Sequence, residues 1–282
     1  MIYKDYKKDI AYQGSKGANS HLLCVSNFPN AQHHAFETFD EVFQAVETGK
    51  VALAVVPIEN SHAGRVSEIH NLLKDTSLYI VGEFFQEIKH HLAAIKNTTL
   101  DKITDIYSHP QALMQSNKNI KALSLNRHSF FNTALAAQYI KKEQDETKGA
   151  LCTELAAQIN GLQILKYNMQ DAKFNNTVFV AIAKEVEELP SYAEKKITTL
   201  LFTVRNIPAA IYKCLGGFAT NNINIIKLES YIPGGISNEA SFFISFEGNI
   251  DHHSVQLALE ELGFYSKNIK LLGVYDQAKE RK

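Results

Sequence analysis

Val51-Ala52-Leu53-Ala54-Val55-Val56-Pro57-Ile58-Glu59-Asn60-Ser61-His62-Ala63-Gly64 is the stretch that decides the fold. Its apolar run, Val51 to Ile58, has no polar alternation and reads as a parallel strand buried on both faces. The run stops at a carboxylate, an amide and a hydroxyl in consecutive positions. Ligands of open α/β sheets bind just beyond the carboxyl ends of such strands. Glu59, Asn60 and Ser61 therefore stand where a small polar ligand would be held. A polar turn after a core strand would use the same residue types, so the flanking segments have to decide.

Upstream, Asp9 to Gln13 reads as a strand, followed by Gly14-Ser15-Lys16-Gly17-Ala18-Asn19-Ser20 and a helix from about His21. Two glycines between a strand and a helix start let backbone amides face an anion. Thr38-Phe39-Asp40-Glu41 has the spacing of a capping box, opening a helix that runs to Thr48 and stops at Gly49. Strand, helix and strand with short connections imply a right-handed crossover and a parallel sheet. Gly64 to Lys74 reads as the next helix, and Leu78 to Ile95 as one long strand or two broken ones. In Ser108-His109-Pro110-Gln111-Ala112-Leu113, Pro110 fits the first turn of a helix, with His109 in a capping role. Thr133 to Lys142 is helical, Gly149 to Cys152 a strand, Thr153 to Asn160 a helix stopped by Gly161. Asn175-Asn176-Thr177-Val178-Phe179-Val180 leads from a loop into a strand.

The charged, proline-containing segment Lys184 to Ser191 marks a domain boundary, giving domains at 1–187 and 195–275. The second shows strand Ile197 to Val204, a helix from Pro208 to Asn221-Asn222, and strand Ile223 to Ile232. After the turn Pro233-Gly234-Gly235 come strand Ala240 to Glu247, a helix from His252 capped by Asp251 and stopped by Gly263, and strand Asn268 to Tyr275. That order, βαββαβ, is a ferredoxin-like sandwich of about eighty residues.

Composition narrows the function classes. The chain has 282 residues, 45% hydrophobic and 21% charged, with a formal charge of -1. Such a balance argues against a broad nucleic-acid surface. No apolar run has the length of a membrane span, and the start Met1-Ile2-Tyr3-Lys4-Asp5 lacks the apolar core of a secretory signal. The cysteines Cys24, Cys152 and Cys214 are far apart and odd in number, which suits a reducing cytoplasm. The histidine pairs His33-His34, His90-His91 and His252-His253 lack the spacing of a metal motif. No glycine-rich nucleotide fingerprint is present, so the expectation is no metal and no cofactor.

These segments, taken in order, resemble bacterial prephenate dehydratase, a catalytic domain followed by an ACT regulatory module. Val56-Pro57-Ile58-Glu59-Asn60-Ser61 and Ser108-His109-Pro110-Gln111-Ala112-Leu113 are similar to two of its signatures without a change. Gly14-x-x-Gly17 with Ser20 resembles its N-terminal glycine loop, and Glu154-Leu155-Ala156-Ala157 with Gly161-Leu162 a later helix. The resemblance implies two α/β lobes arranged like a type-2 periplasmic binding protein, with substrate in the cleft. It implies conversion of prephenate to phenylpyruvate, water and carbon dioxide in phenylalanine biosynthesis, a carbon–oxygen lyase reaction.

By the same resemblance Thr177 is the threonine of an Asn-x-Thr-Arg-Phe motif and hydrogen-bonds the leaving hydroxyl. Glu59 stands behind it as a proton reservoir or as an orienting group. Ser20, Asn60 and Ser61 offer donors to substrate carboxylates, and Asn175 holds the Thr177 loop. Where the family has arginine after the threonine this chain has Val178, and Lys16, Lys173 or Arg65 would have to supply the charge that pairs a carboxylate.

In the C-terminal module Ile207-Pro208-Ala209-Ala210-Ile211 stands where ACT sequences often carry Pro-Gly-Ala-Leu. Asn224-Ile225-Ile226-Lys227-Leu228-Glu229-Ser230 resembles the Asn-Leu-Thr-Lys-Ile-Glu-Ser segment, with Tyr231-Ile232 replacing its Arg-Pro. The implied effector is L-phenylalanine, at Asn206, Ala209, Ala210, Asn224 and Glu229, in a homodimer or homotetramer. Two other readings stay open: an arogenate dehydratase, and a weakly catalytic amino-acid sensor in which Val178 marks the lost activity. Partners on the expected reading are prephenate and phenylalanine, with no nucleic acid and no membrane, in the cytoplasm.

Overall fold

The structure is a computed structural model that describes residues 3–231 and 240–279. Two compact units are present, Met1–Ile69 with Phe85–Phe179, and His70–Phe84 with Val180–Lys282. The sequence division treated each domain as one continuous stretch. Instead, residues 70–84 and the segment from Val180 belong to the second unit. Tertiary hydrogen bonds explain the reassignment. Lys270 Nζ donates to the carbonyls of Leu73, Lys74 and Thr76, and the Ala278 amide donates to Glu83 Oε1 at 3.0 Å.

The chain begins β1 (Ile10–Gln13), α1 (Asn19–Asn27), β2 (His33–Phe36), α2 (Phe39–Glu47), β3 (Leu53–Asn60), β4 (Gly64–Arg65), α3 (Ser67–Asp75), β5 (Tyr79–Glu87) and β6 (His91–Ala94). It continues with β7 (Asp105–Ser108), α4 (Pro110–Gln115), α5 (Asn117–Ala122), β8 (Asn126–Ser129), α6 (Thr133–Glu143), β9 (Lys148–Cys152), α7 (Glu154–Asn160), β10 (Gln163–Lys166) and β11 (Asn176–Ala183). One sheet has the order β2-β1-β3-β11-β5, with β4 paired to β3, and a second has the order β10-β6-β9-β7-β8. Strand β1 pairs in parallel with both β2 and β3. Leu53, Ala54, Val55 and Val56 are fully buried, as a run without alternation requires.

Local chemistry sets the helix ends. The side chain of Thr38 accepts from the Glu41 amide while Glu41 reaches back to the Thr38 amide, completing the capping box. His109 caps α4 through Nδ1, with Pro110 in the first turn. Gly161 ends α7 in the left-handed conformation, φ 67°.

Two expectations about the decisive stretch are corrected. The strand extends through Glu59 and Asn60, and Gly64 opens β4 rather than a helix. Asn60 Oδ1 accepts the amides of His62 and Ala63, each at 3.0 Å, which closes a tight turn. Gly64 at φ +77° then returns the chain, pairing Arg65 opposite Glu59. Leu78 to Ile95 resolves into β5 and β6.

The second unit carries β12 (Lys196–Val204), α8 (Ala210–Thr220), β13 (Ile225–Tyr231), β14 (Ser241–Glu247), α9 (His253–Tyr265) and β15 (Ser266–Asp276). Its sheet order is β13-β14-β12-β15, antiparallel throughout, so the βαββαβ topology stands. Leu200, Phe202, Ile244 and Phe246 pack with Phe218, Ala258 and Leu262 of the helices. Helix α9 departs from expectation at both ends. Its N-cap is His252, without a side-chain cap, and it runs through Gly263 to Tyr265. Ser266 then enters β15 directly, in register with Val204, so strand pairing ends this helix and the glycine does not. The turn expected at Pro233-Gly234-Gly235 lies outside the described residues. Among the described residues no helix is long and apolar enough to cross a membrane.

Candidate active site

A cavity of about 300 Å³ lies within the first unit. Strands β3, β4 and β11 supply Asn60, Arg65 and Thr177, the first residue of α1 supplies Asn19, helix α4 and its cap supply Gln111, Gln115 and His109, and the turn after β8 supplies Asn132. Asn19 opens α1 at the end of the glycine loop. Gly17 has φ +93°, and a Cβ there would lie 2.7 Å from Ala156 Cα. Thr153 Oγ1 donates to the Gly17 carbonyl at 2.5 Å and accepts the Ala156 amide at 3.0 Å. The loop is thus clamped to the start of α7. The Gly17 amide donates to His21 Nδ1 at 2.9 Å, and burial, with His33 and Lys16 nearby, pushes His21 down to about 4.

Thr177 and Asn175 are 8% and 2% exposed, and their hydrogen bonds have a fixed direction. Since Asn60 Oδ1 accepts two backbone amides, its Nδ2 faces the other way. That nitrogen lies 2.9 Å from Thr177 Oγ1, 2.9 Å from Asn175 Oδ1 and 3.2 Å from the Asn176 carbonyl. An amide nitrogen donates and cannot accept. The Thr177 hydroxyl proton is therefore not taken up by Asn60, and no other group among the described residues accepts it. Asn175 Nδ2 donates in turn to Gln115 Oε1 at 3.0 Å. The arrangement presents a buried hydroxyl, free to donate, beside amide donors and one guanidinium, and so suits a polyanionic ligand.

The other expected residues fall as follows. Ser61 is exposed and serves the turn. Its amide donates to the Asn176 carbonyl at 2.9 Å, and its Oγ accepts the Asn176 amide at 3.1 Å. Ser20 is buried and Glu59 half-buried, and neither is on the cavity wall, whereas their neighbours Asn19 and Asn60 are. Of the three cations offered to replace the motif arginine, Arg65 lines the cavity. Val178 leaves β11 on the side opposite Thr177, because successive strand residues alternate. It is absent from the cavity wall.

A family model described as Prephenate dehydratase matches residues 10–187. The chain belongs to the prephenate dehydratase family. It is 40% identical over 266 residues to a bifunctional N-acyl-homoserine lactone acylase/prephenate dehydratase of Komagataeibacter europaeus, covering 94% of this chain and 95% of that protein. It is 33% identical to arogenate dehydratase 2 of Petunia hybrida, covering 94% and 71%. Among solved structures, GqqA, described as a novel type of quorum quenching acylase, superposes with a TM-score of 0.90 at 39% identity, covering 97% and 99%. A prephenate dehydratase of Arthrobacter aurescens in complex with L-Phe gives 0.87 at 23% identity, covering 97% and 91%, a likeness of fold alone.

For this member of the prephenate dehydratase family, sequence reasoning missed His90, Gln115, Asn132 and Asn19 as wall residues. Gln115 sits two residues past the Ser108 to Leu113 signature and His90 in an adjacent histidine pair. Neither position carries a motif of its own. The cavity brings them together through strand ends far apart in sequence.

In the second unit, Asn206 and Ala209 are exposed, Ala210 is buried and Asn224 is exposed. The Asn224 carbonyl accepts the Glu247 amide at 2.9 Å. Ala209 precedes α8 with φ 58° and ψ 30°, a left-handed residue without glycine's freedom. Glu229 already has neighbours of opposite charge type. Its carboxylate oxygens lie 3.3 Å from His70 Nε2 and 3.3 Å from Lys227 Nζ, and the His70 ring meets Phe243 edge-on at 5.0 Å. An incoming ammonium group would share that carboxylate with them.

Proposed function

We propose that this chain is a prephenate dehydratase, converting prephenate and one proton to phenylpyruvate, carbon dioxide and water. The observation that carries the reading is the polarity of the Asn60–Thr177 contact, which leaves the Thr177 proton for a bound ligand. Arg65 pairs a substrate carboxylate as a charge-assisted donor. Thr177 donates to the ring hydroxyl as its C–O bond breaks, the step that an unassisted hydroxide leaving group makes slow. The electron pair of the departing carboxylate's C–C bond moves into the ring, and aromatisation drives the reaction. Asn60 and Asn175 orient Thr177. Glu59, opposite Arg65 across the β3–β4 turn, positions that turn rather than supplying the proton. Purified protein incubated with prephenate and, separately, with arogenate tests the reading. Phenylpyruvate formed faster than phenylalanine supports it, and the reverse order supports an arogenate dehydratase. Neither product would leave the sensor reading.

A second activity, cleavage of the amide of N-acyl-homoserine lactones, is favoured by the similarity to the 40% identical bifunctional relative and to GqqA, described as a quorum quenching acylase. Acyl transfer to a hydroxyl needs a base that takes its proton. Among the described residues Thr177 has no such partner, its one side-chain neighbour being an amide donor. Release of free homoserine lactone amine from an acylated substrate would establish this activity beside, or in place of, the first.

We further infer that the C-terminal βαββαβ unit is an ACT module that binds L-phenylalanine near Asn206, Ala209, Ala210, Asn224 and Glu229. A cytoplasmic homodimer or homotetramer then couples that binding to turnover. The L-Phe complex of the Arthrobacter protein supports the reading. Phenylalanine titration, following melting temperature and prephenate turnover with tyrosine as control, tests it. A shift without inhibition would mean binding uncoupled from catalysis.

A further inference from the structure

The chain of hydrogen bonds that ends at Thr177 begins at a buried histidine. His90, between β5 and β6, is 3% exposed, lines the cavity, and holds Nε2 3.4 Å from Gln115 Oε1. The direction of this link is dictated from the far end. The backbone amides of His62 and Ala63 fix the oxygen of Asn60, so Asn60 donates to Asn175 Oδ1. Asn175 therefore donates through Nδ2, and Gln115 must receive at Oε1. A carbonyl oxygen facing His90 can meet only a donor there, so Nε2 carries the imidazole proton. Nδ1 is buried without a hydrogen-bond partner. The opposite tautomer would leave an N–H unpaired at Nδ1 and set two lone pairs against each other at Nε2, both costly in a buried site. Burial, with His91 adjacent, keeps the ring neutral, its pKa pushed down to about 4. With Oε1 occupied on both sides, the Gln115 amide nitrogen has no partner among the described residues, and Gln115 lies on the cavity wall.

We propose that His90 is a positioning residue: in its Nε2–H tautomer it fixes Gln115 with the amide NH₂ turned to the substrate. Through Gln115 and Asn175 it also braces the Asn60 amide against Thr177, in the direction that the His62 and Ala63 backbone amides set. The proposal rests on the dehydratase reading.

His90→Gln keeps an amide donor near the reach of Nε2, while His90→Leu fills the space without one. His90→Leu should lower kcat for prephenate about tenfold, the scale of one lost buried hydrogen bond. KM should change much less, because the network acts on the hydroxyl that meets the leaving group. His90→Gln should recover most of the loss. A His90→Leu protein with wild-type kcat, or a His90→Gln protein as slow as His90→Leu, would overturn the assignment. Nitrogen chemical shifts of ¹⁵N-histidine-labelled wild-type protein read the tautomer without substrate and without a variant. An Nδ1–H ring at His90 would overturn the proposal even if prephenate is turned over. If wild-type protein leaves prephenate untouched, the dehydratase reading falls, and the tautomer measurement still decides whether His90 orients Gln115.

Discussion

Asn60 Nδ2 donates to Thr177 Oγ1 at 2.9 Å, joining residues 117 positions apart in sequence. Both lie at strand ends of one sheet, and the bond's direction decides what Thr177 offers a ligand. An acceptor at position 60 would claim the hydroxyl proton for the protein.

Asn60→Asp makes that change with one atom. The new carboxylate faces Thr177 Oγ1 and Asn175 Oδ1 as an acceptor, so kcat for prephenate should fall at least about a hundredfold. Thr177→Ala should fall as far, and Thr177→Ser should recover much of the rate. Because the two residues act as a unit, the double variant should be little worse than Thr177→Ala alone. Steady-state kinetics, with circular dichroism to verify folding, provide the check. Additive losses would separate the two residues.

Charge at the cavity is expected to come from Arg65 and not from position 178. Arg65→Gln should raise KM about tenfold, the scale of one charge-assisted contact, with little effect on melting because the side chain is exposed. Val178→Arg should leave KM near the wild-type value, since that side chain leaves the opposite side of β11. A lowered KM in Val178→Arg would mean that the longer side chain reaches the substrate after all.

Gly17→Ala should destabilise the protein by about 2 kcal/mol or more, through a forced shift against Ala156 and an unfavourable positive φ. The same loop carries Asn19 to the cavity, so turnover should fall with it. Denaturant unfolding read beside kinetics tests both. A neutral substitution would show that α7 can yield at Ala156.

Ala209→Gly should stabilise the protein by about 0.5–1 kcal/mol. Relief of the left-handed alanine exceeds the extra freedom given to the unfolded chain. Thermal unfolding provides the measurement, and a lower melting temperature would mean that the turn does not hold this conformation in solution.

Acid should destabilise the fold before its carboxylates are protonated. His90 is held near a pKa of about 4 by burial, with His91 adding to the effect and the hydrogen bond to Gln115 opposing it. An unfolded histidine titrates near 6.5. Between those values the unfolded chain binds more protons than the folded one, so stability rises with pH there. The contribution is complete above about pH 6.5 and lost as pH falls towards 4, amounting to about 3 kcal/mol at most. Urea unfolding of wild type and His90→Gln at several pH values across this window tests it. The wild type should lose more than the variant, and parallel curves would exclude His90. His21, His33 and His91, held low chiefly by burial as well, account for the slope that remains in the variant.

Much of the fold was legible because local rules govern it. The unbroken apolar run of β3, the Thr38 capping box, the Gly161 stop and the βαββαβ order each follow from near neighbours in sequence. So does the nomination of Asn60 at the carboxyl end of β3, whereas Thr177 was legible through the family resemblance of its motif. The end of α9 was not legible, because pairing of Ser266 with Val204 sets it from 62 residues away. Nor was the exchange of residues 70–84 into the second unit, which rests on Lys270 and Ala278 reaching back to them.

The sequence by itself determined the two sheet types, the order of their elements and the polar groups at the end of β3. Only the tertiary structure decided which of those groups face one cavity and in which direction their hydrogen bonds run. A strand end places a residue without aiming it. Glu59 and Asn60 are adjacent in one strand, yet the turn through His62 and Ala63 aims Asn60 at Thr177, and of the two only Asn60 lines the cavity. His90 and Gln115 carry no local signature. Their role exists only where donors and acceptors from distant segments must be satisfied together, out of reach of water.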